Sequence, residues 1–376
     1  MSVDFNLEEL MASAQAGDAW SQFRLGEMYY DGRGVPQDYA EAIRWYWLAA
    51  NQRFAPSQNN LAVLYRNGLG VQKDEGIAFK LYLAAAQQGV VNAQYNLAVM
   101  YYHGEATERD FEQALRWYTA AAQQGHPQAM SSLADMYLKG TGIPQDYSLA
   151  AYWFERAAEL GDVTAMNQAG YLYSNDFGGD ITPDYKKARR YYEMAARKGH
   201  PSAQFNLGLM YLKGEGMPPD YAEALRWFTP AAQGGNANAQ YHLGVMYLNG
   251  MGIGKDLEQA TRWFEASAKA GHVLAQYSFG TVLLQRRNSE GLKWLIMAAE
   301  SGDPYAQQDL AIYYYQGSGI VSKDYALAYK WGEAAARQGM REAQKIIGAL
   351  LFNGWGVPRN IEEAMRWLRE SERDDS

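Results

Sequence analysis

The sequence predicts an all-α protein built as an array of about ten helix–turn–helix units of 36 residues each. Three observations predict it. First, "GEMYYDGRGVPQDYAEAIRWY" at Gly26 to Tyr46 returns as "GLMYLKGEGMPPDYAEALRWF" at Gly208 to Phe228, with 13 of 21 positions identical. Second, a glycine closes each unit: Gly17, Gly89, Gly125, Gly161, Gly199, Gly235, Gly271, Gly302 and Gly339, with Arg53 once in its place. Third, small and aromatic residues recur within each unit at spacings of four and eight, which share one face of a helix.

These landmarks divide the chain into units 18–53, 54–89, 90–125, 126–161, 162–199, 200–235, 236–271, 272–302, 303–339 and 340–376. Residues 1–17 stand before them. Asn6 to Gly17 reads as a lone second helix that caps the stack. At the other end Ser371 and Glu372 replace the usual Ala pair, and "RDDS" follows; a polar last turn opposes further stacking.

Within a unit, the first helix carries a small residue four places before a leucine-type residue, such as Ala93, Ala203 or Ala239. Gly or Ala follows that leucine directly (Gly26, Ala62, Gly208), and a tyrosine stands four places after it (Tyr29, Tyr65, Tyr101). The expectation is that the small residue admits a neighbouring backbone and this tyrosine fills the gap beside it. A loop such as "DGRGVPQD" then supplies Gly to end the helix, Pro for the turn and Asp to cap the next helix. Asp38 with Glu41, and Asp220 with Glu223, have capping-box spacing. The second helix places Trp between small residues, as in Ala42, Trp45 and Ala49. Eight of the eleven Trp hold this one position (Trp45, Trp117, Trp153, Trp227, Trp263, Trp294, Trp331 and Trp367), so they read as packing residues.

The signature A…LG.MY.G.GV..D…A..W…AA…G, as in Ala203 to Gly235, resembles the Sel-1-like repeat family, a relative of the tetratricopeptide repeat. The resemblance covers about 360 residues in ten copies. It implies a right-handed α/α superhelix, a solenoid of stacked antiparallel helix pairs with a concave inner face. It also implies a role in assembling protein complexes, with some bacterial relatives acting as immunity partners of secreted toxins.

Composition narrows the function classes. Apolar residues make up 48%, ample for a core, and no run of about 18 of them marks a membrane span. The start "MSVDFNLEEL" has no basic or apolar leader. The chain reads as cytoplasmic as written, or as periplasmic or secreted if Met1 replaces a removed signal peptide. Cysteine is absent, which excludes disulfides and thiolate metal sites. The net charge of −8 lacks the basic face of a nucleic-acid binder. The one basic run, Lys186, Lys187, Arg189 and Arg190, reads as a solvated helix face.

No catalytic residues, cofactor or metal site are predicted. "NGMGIGKD" at Asn249 to Asp256 resembles a phosphate-binding loop, but no strand precedes it and no Lys-Ser/Thr follows; it reads as a helix-to-helix turn. His126, His200 and His272 read as turn residues after the closing glycine, and His103 and His242 have no partner at ligand spacing. Asp176, Asp180 and Asp184 gather in "SNDFGGDITPD" of unit five without EF-hand spacing, which favours a polar loop over a calcium site.

Where the repeats stop agreeing, surfaces are free to specialise. Positions two before, two after and five after the leucine form a stripe on the first helix, and the tetratricopeptide resemblance implies that it lines the concave face. The aromatic members taken as candidate contacts are Phe23, Tyr30, Tyr95, Tyr102, Phe205, Tyr241, Tyr277 and Tyr315. Tyrosine gives large contact area at low entropy cost and is enriched at interfaces. Packing between adjacent first helices is the competing use of these rings. Asn60, Asn96 and Asn206, one place before the leucine, suit either a partner's backbone or an internal bond. Units three, five and eight break the frame, by losing a loop glycine, by the insertion and by a shortened loop "QRRNSEG". The expected function is a non-enzymatic scaffold that binds another protein or peptide in its groove, with no nucleic acid and no membrane insertion. An immunity protein against a secreted toxin is one form of it. A regulatory adaptor and a peptidoglycan or small-ligand receptor are the alternatives.

Overall fold

The structure is a computed structural model that describes residues 7–179, 181–317 and 319–372. Among them are 21 α-helices and no strand. The fold is an all-α solenoid of ten helix pairs. The chain divides into two compact units, residues 1–195 and 196–376.

In the first unit α1 (Leu7–Gln15) precedes the pairs α2 (Ala19–Asp31) with α3 (Tyr39–Asn51), α4 (Ala55–Asn67) with α5 (Glu75–Gln87), α6 (Val91–His103) with α7 (Phe111–Gln123), α8 (Pro127–Lys139) with α9 (Tyr147–Glu159), and α10 (Val163–Ser174) with α11 (Tyr185–Arg197). The second holds α12 (Pro201–Lys213) with α13 (Tyr221–Gln233), α14 (Ala237–Asn249) with α15 (Leu257–Lys269), α16 (Val273–Gln285) with α17 (Glu290–Glu300), α18 (Pro304–Gln316) with α19 (Tyr325–Arg337), and α20 (Arg341–Asn353) with α21 (Ile361–Ser371). At the start, Leu10 and Ala14 of α1 pack against Leu25 and Trp45. At the end, the Ser371 hydroxyl donates back to the Leu368 carbonyl; "RDDS" lies outside the described residues, as do residues 1–6.

The aspartates cap the second helices, but the capping box closes on one side only. Asp38 Oδ1 accepts from the N–H groups of Ala40 and Glu41. The reciprocal arm is missing because the Asp38 N–H is already bound to the Tyr29 carbonyl at 2.9 Å. That bond pins the loop back onto the first helix. Asp74 to Tyr65, Asp110 to Tyr101 and Asp220 to Tyr211 repeat it. A loop-closing backbone bond therefore takes the donor that Glu41 would have used; Glu41 pairs with Arg44 instead.

In the first seven pairs the ring at the centre lies one residue after the tryptophan position, while Trp45, Trp117, Trp331 and Trp367 are buried as the sequence predicts. Tyr46, Tyr82, Tyr118, Phe154, Tyr192, Phe228 and Phe264, each directly after the Trp position, are fully or almost fully buried. Trp153, Trp227, Trp263 and Trp294 are only half-buried, and Arg44, Arg116, Arg226 and Arg366 lie 5.3 to 5.6 Å over the rings of the Trp that follow them. The ring beside the small residue of the first helix comes from this buried position, not from Tyr29 or its equivalents. A Cβ on Gly208 would stand 2.7 Å from the Phe228 ring. Gly26 beneath Tyr46 and Gly244 beneath Phe264 are the same contact.

The three irregular repeats adapt without leaving the frame. In repeat three Ala106 replaces the second loop glycine yet keeps its left-handed conformation, at φ 60. In repeats two, four, seven and ten that glycine lies against a ring-bearing residue at the start of the preceding second helix, as Gly70 lies against Tyr39 and Gly142 against Phe111. The residue at that place before repeat three is Glu75, so no ring opposes the Ala106 methyl. In repeat five the insertion folds back: Phe177 stacks on Tyr147 at 4.2 Å and meets Tyr171 edge-on at 5.9 Å. Asp176 accepts from the Gly178 N–H and Asp184 caps α11, while Asp180 lies outside the described residues. In repeat eight a left-handed Arg287 joins α16 almost directly to α17. "NGMGIGKD" is a helix-to-helix turn, with Asp256 capping α15. No helix among the described residues is long and apolar enough to cross a membrane.

Candidate partner-binding surface

The eight stripe rings are all half-buried, and each packs inward on one side. In the first unit Phe23 lies 6.0 Å from Tyr46 and 5.5 Å from Phe54, and Tyr30 lies 5.6 Å from Tyr39. Tyr95 and Tyr102 both reach Tyr118, at 5.9 and 6.4 Å. In the second unit Phe205 meets Phe228 at 5.8 Å and Tyr241 meets Phe264 at 5.9 Å. The Tyr277 hydroxyl donates to Asp309 at 3.1 Å, and Tyr315 packs on Tyr325 at 5.9 Å. Most of these contacts are to second helices rather than between adjacent first helices, and each ring keeps part of its surface exposed.

The residue before the leucine serves the buried ring. Asn60 donates to the Tyr46 hydroxyl at 3.3 Å, and His242 stacks on Phe228 at 5.3 Å and 8°. Asn60 thus has an internal partner and is not a free grip for a bound backbone. Burial pushes the phenols of Tyr46, Tyr118 and Tyr277 well up, and that of Tyr82 up to about 12. At neutral pH these hydroxyls remain protonated. Burial also raises the Asp309 carboxyl, against the lowering effect of its bond from Tyr277.

Three features of the surface escape a reading of the sequence by stripe alone. The first is the cap residue of the next repeat, which closes over the stripe ring. His126 stacks on Tyr95 at 4.7 Å and 20°, and His272 on Tyr241 at 4.7 Å and 22°. These histidines, with His200, are helix caps: each Nδ1 accepts from the backbone N–H of the third residue of its helix at 3.2 Å. Burial lowers all three below the usual imidazole range. Burial takes His242 down to about 4, with smaller contributions from His272 and Lys213.

The second is a glutamine ladder. Gln22, Gln58 and Gln94 each donate to a carbonyl eight residues back and accept from Gln52, Gln88 and Gln124 thirty residues on, at 2.8 to 2.9 Å. A signal was present: glutamine stands three places before the leucine in eight of the ten repeats.

The third is an ion pair on the stripe itself. Arg66 makes two parallel bonds to Glu105, at 3.0 and 3.1 Å, the strong bidentate form. Ion-pair partners 39 residues apart have no periodic signature. In the second unit, the shortened loop of repeat eight leaves a cavity of about 590 Å³ lined by Leu284, Gln285, Arg287, Tyr313, Gly319 and Ile320. Among the described residues no group of His, Asp and Glu is placed to hold a metal ion.

The Sel1 repeat model matches this chain ten times, at residues 21–54, 55–90, 91–126, 127–162, 163–200, 201–236, 237–272, 274–303, 304–340 and 341–374. The fold is similar to that of c5321, a protective antigen present in uropathogenic Escherichia coli strains, with a TM-score of 0.84 at 31% identity over 99% of this chain and 88% of that one. A Sel1 repeat protein from Oxalobacter formigenes matches at 34% identity with a TM-score of 0.55, over 65% of this chain and 96% of that one. The ERAD-associated E3 ubiquitin-protein ligase component HRD3B of Arabidopsis thaliana is 52% identical over 48 residues, 13% of this chain; the match spans 8% of the length of that relative.

Proposed function

The chain belongs to the Sel1 repeat family, and we propose that it is a non-enzymatic scaffold that holds a partner protein on the first-helix stripe. The contacts would be Phe23, Tyr30, Tyr95 and Tyr102 in the first unit, and Phe205, Tyr241, Tyr277 and Tyr315 in the second. The observation that carries this reading is the contrast between a repeated frame and an unrepeated stripe. The stripe reads Phe23, Glu27, Tyr30 in repeat one, Asn59, Val63, Arg66 in repeat two and Phe205, Leu209, Leu212 in repeat six. Packing alone would tolerate one solution throughout. Half-buried rings supported from behind are pre-ordered, so they lose little entropy on binding. Neutralisation of a secreted toxin is one form of such a role, and it would show as growth protection when chain and toxin are co-expressed.

The test begins with a partner recovered from the native host and its affinity measured by calorimetry. Tyr95→Ala, Tyr102→Ala, Phe205→Ala and Tyr241→Ala, made singly, are expected to weaken binding by about 2 kcal/mol, roughly thirtyfold. Each ring also props a buried aromatic, so circular dichroism must show that the variant is folded at the temperature of the binding measurement. Four folded variants that bind like the wild type would refute the stripe as the recognition surface.

A further inference from the structure

Phe54, Val90 and Met340 cap their first helices without a side-chain bond; the other seven caps differ in one chemical respect. Asp18, Asp162, Asn236 and Asp303 accept the cap bond through oxygen. Repeats four, six and eight use His126, His200 and His272, which accept it through Nδ1. That bond requires a neutral ring with its proton on Nε2. A proton on Nδ1 would set N–H against N–H at 3.2 Å. It would also place positive charge at a helix N-terminus, where the macrodipole already opposes it. An imidazolium cannot keep this cap and must turn away.

Two of the three capping rings are also the outer wall of a stripe tyrosine. His126 of repeat four covers Tyr95 of repeat three, and His272 of repeat eight covers Tyr241 of repeat seven. We propose that the stripe is proton-gated: the Tyr95–His126 and Tyr241–His272 stacks hold these two tyrosines in place while the imidazoles are neutral, and acid uncaps α8 and α16 and releases both rings. The effect on partner binding rests on the stripe reading above; the release of the rings does not.

The groups around each stack offer the imidazolium little compensation. Tyr95 of α6 faces His126, with Tyr118 of α7 behind it. Tyr241 of α14 faces His272, and His242, next to Tyr241, interacts unfavourably with a charged His272. Asp303, the cap of α18, interacts with Tyr241, and its Oδ1 accepts from the Ala306 N–H. His126 and His272 make no ion pair among the described residues. Burial accordingly lowers both imidazoles, so the transition lies on the acid side of the ordinary histidine range.

The test uses the free full-length chain. Hydrogen exchange at the Ala129 and Ala275 amides, corrected for the intrinsic pH dependence, is followed from pH 7.5 to 5 beside the ring signals of Tyr95 and Tyr241. Expected are a fall in protection of about tenfold or more as His126 and His272 charge, and shifts of both tyrosine signals over the same interval. In His126→Asn and His272→Asn the cap should persist without titrating, since Asn236 serves at the same place in repeat seven, and the response should vanish at the altered site. Nδ1–H tautomers at neutral pH, or amides that stay protected while the histidines charge, would overturn the proposal. So would an undiminished response in the Asn variants. With a partner in hand, Tyr95→Ala and Tyr241→Ala variants that bind normally would refute the stripe reading; variants that lose binding, beside a wild type whose affinity ignores acid, would refute the gate alone.

Discussion

In residues 1–195 the ring at the centre of each helix pair is tyrosine four times in five: Tyr46, Tyr82, Tyr118 and Tyr192, with Phe154. In residues 196–376 the same place holds Phe228, Phe264, Leu295, Gly332 and Leu368, with no hydroxyl among them. The frame beneath is common to both units, for Gly26 and Gly208 lie under Tyr46 and Phe228 in the same way. The surface above differs. Tyr46 meets Asn60, Tyr82 interacts with Arg66, and Tyr192 meets Ser174 at 3.2 Å. Above the hydroxyl-free rings stand Phe205, Leu209 and Leu212, Tyr241 and Val245, and the stacked His242. One oxygen at the para position thus couples the core to the first helices: a buried phenol needs a polar partner, and a first helix supplies it, from the stripe in Arg66 and Ser174 and from beside it in Asn60.

The largest expected effect breaks the frame in either unit. Phe228→Ala removes a fully buried ring and should cost about 3–5 kcal/mol of stability by denaturant titration. Trp227→Ala removes more atoms, but from a half-buried ring, and should cost clearly less. Tyr46→Ala should match Phe228→Ala if the frame is shared. A Trp227 variant less stable than the Phe228 variant would place the centre back at the tryptophan and undo the comparison.

The sequence made the repeat, the helix pairs and the loop chemistry legible, because each depends on spacing that recurs. The core was legible to within one residue. Trp45 and Tyr46 are equally periodic, and periodicity alone cannot say which of two adjacent rings is buried more deeply; four of the eight tryptophans are buried and four half-buried, while the residue after that position fills the centre in the first seven pairs. The stripe was legible as a set of positions, since it is defined by disagreement within a frame. What props or covers it was not. The His126 and His272 stacks and the Arg66–Glu105 pair join different repeats, and register within one repeat does not encode them. The glutamine ladder was written in the sequence at a fixed register, but a polar residue on a core-facing helix is meaningful only once its two partners are seen.

A smaller effect separates the units by pH. His126 is the one histidine of the first unit with a lowered pKa, whereas His200, His242 and His272 all belong to the second. A base whose pKa falls on folding binds more protons when unfolded. Its contribution is constant above about pH 6.5 and is lost as pH falls toward the folded pKa, about 4 for His242. Each such histidine adds a slope of up to about 1.4 kcal/mol per pH unit. The raised Asp309 carboxyl acts in the opposite direction, but only as pH enters the carboxylate range. On acidification from pH 7 the second unit should lose hydrogen-exchange protection before the first, and His242→Asn should narrow the gap. Earlier loss in residues 1–195 would show that histidine burial does not set the acid response.

The smallest effect concerns the ladder, and it can be repaired rather than broken. In the first unit Gln52, Gln88 and Gln124 supply the Nε2 donors that complete Gln22, Gln58 and Gln94. In the second, Gln240 still donates to Ala232 at 3.0 Å, but its buried Oε1 has no hydrogen-bond partner. Thirty residues on from Gln240, where the first unit has glutamine, stands Ala270. Its backbone angles, φ −79 and ψ 3, are close to those of Gln88 at φ −89 and ψ 4, so the same side chain can leave the helix end in the same direction. Gln338 completes Gln307 in this way at 2.8 Å, so the second unit accepts the arrangement. Ala270→Gln should therefore stabilise residues 196–376 by about 1 kcal/mol, the net value of one hydrogen bond that satisfies a buried acceptor. The double variant Ala270→Gln, Gln240→Met separates this from helix propensity, because it keeps the new glutamine and removes its acceptor. If both variants gain equally in denaturant midpoint, the ladder contributes nothing and the two units differ in sequence there without differing in energy.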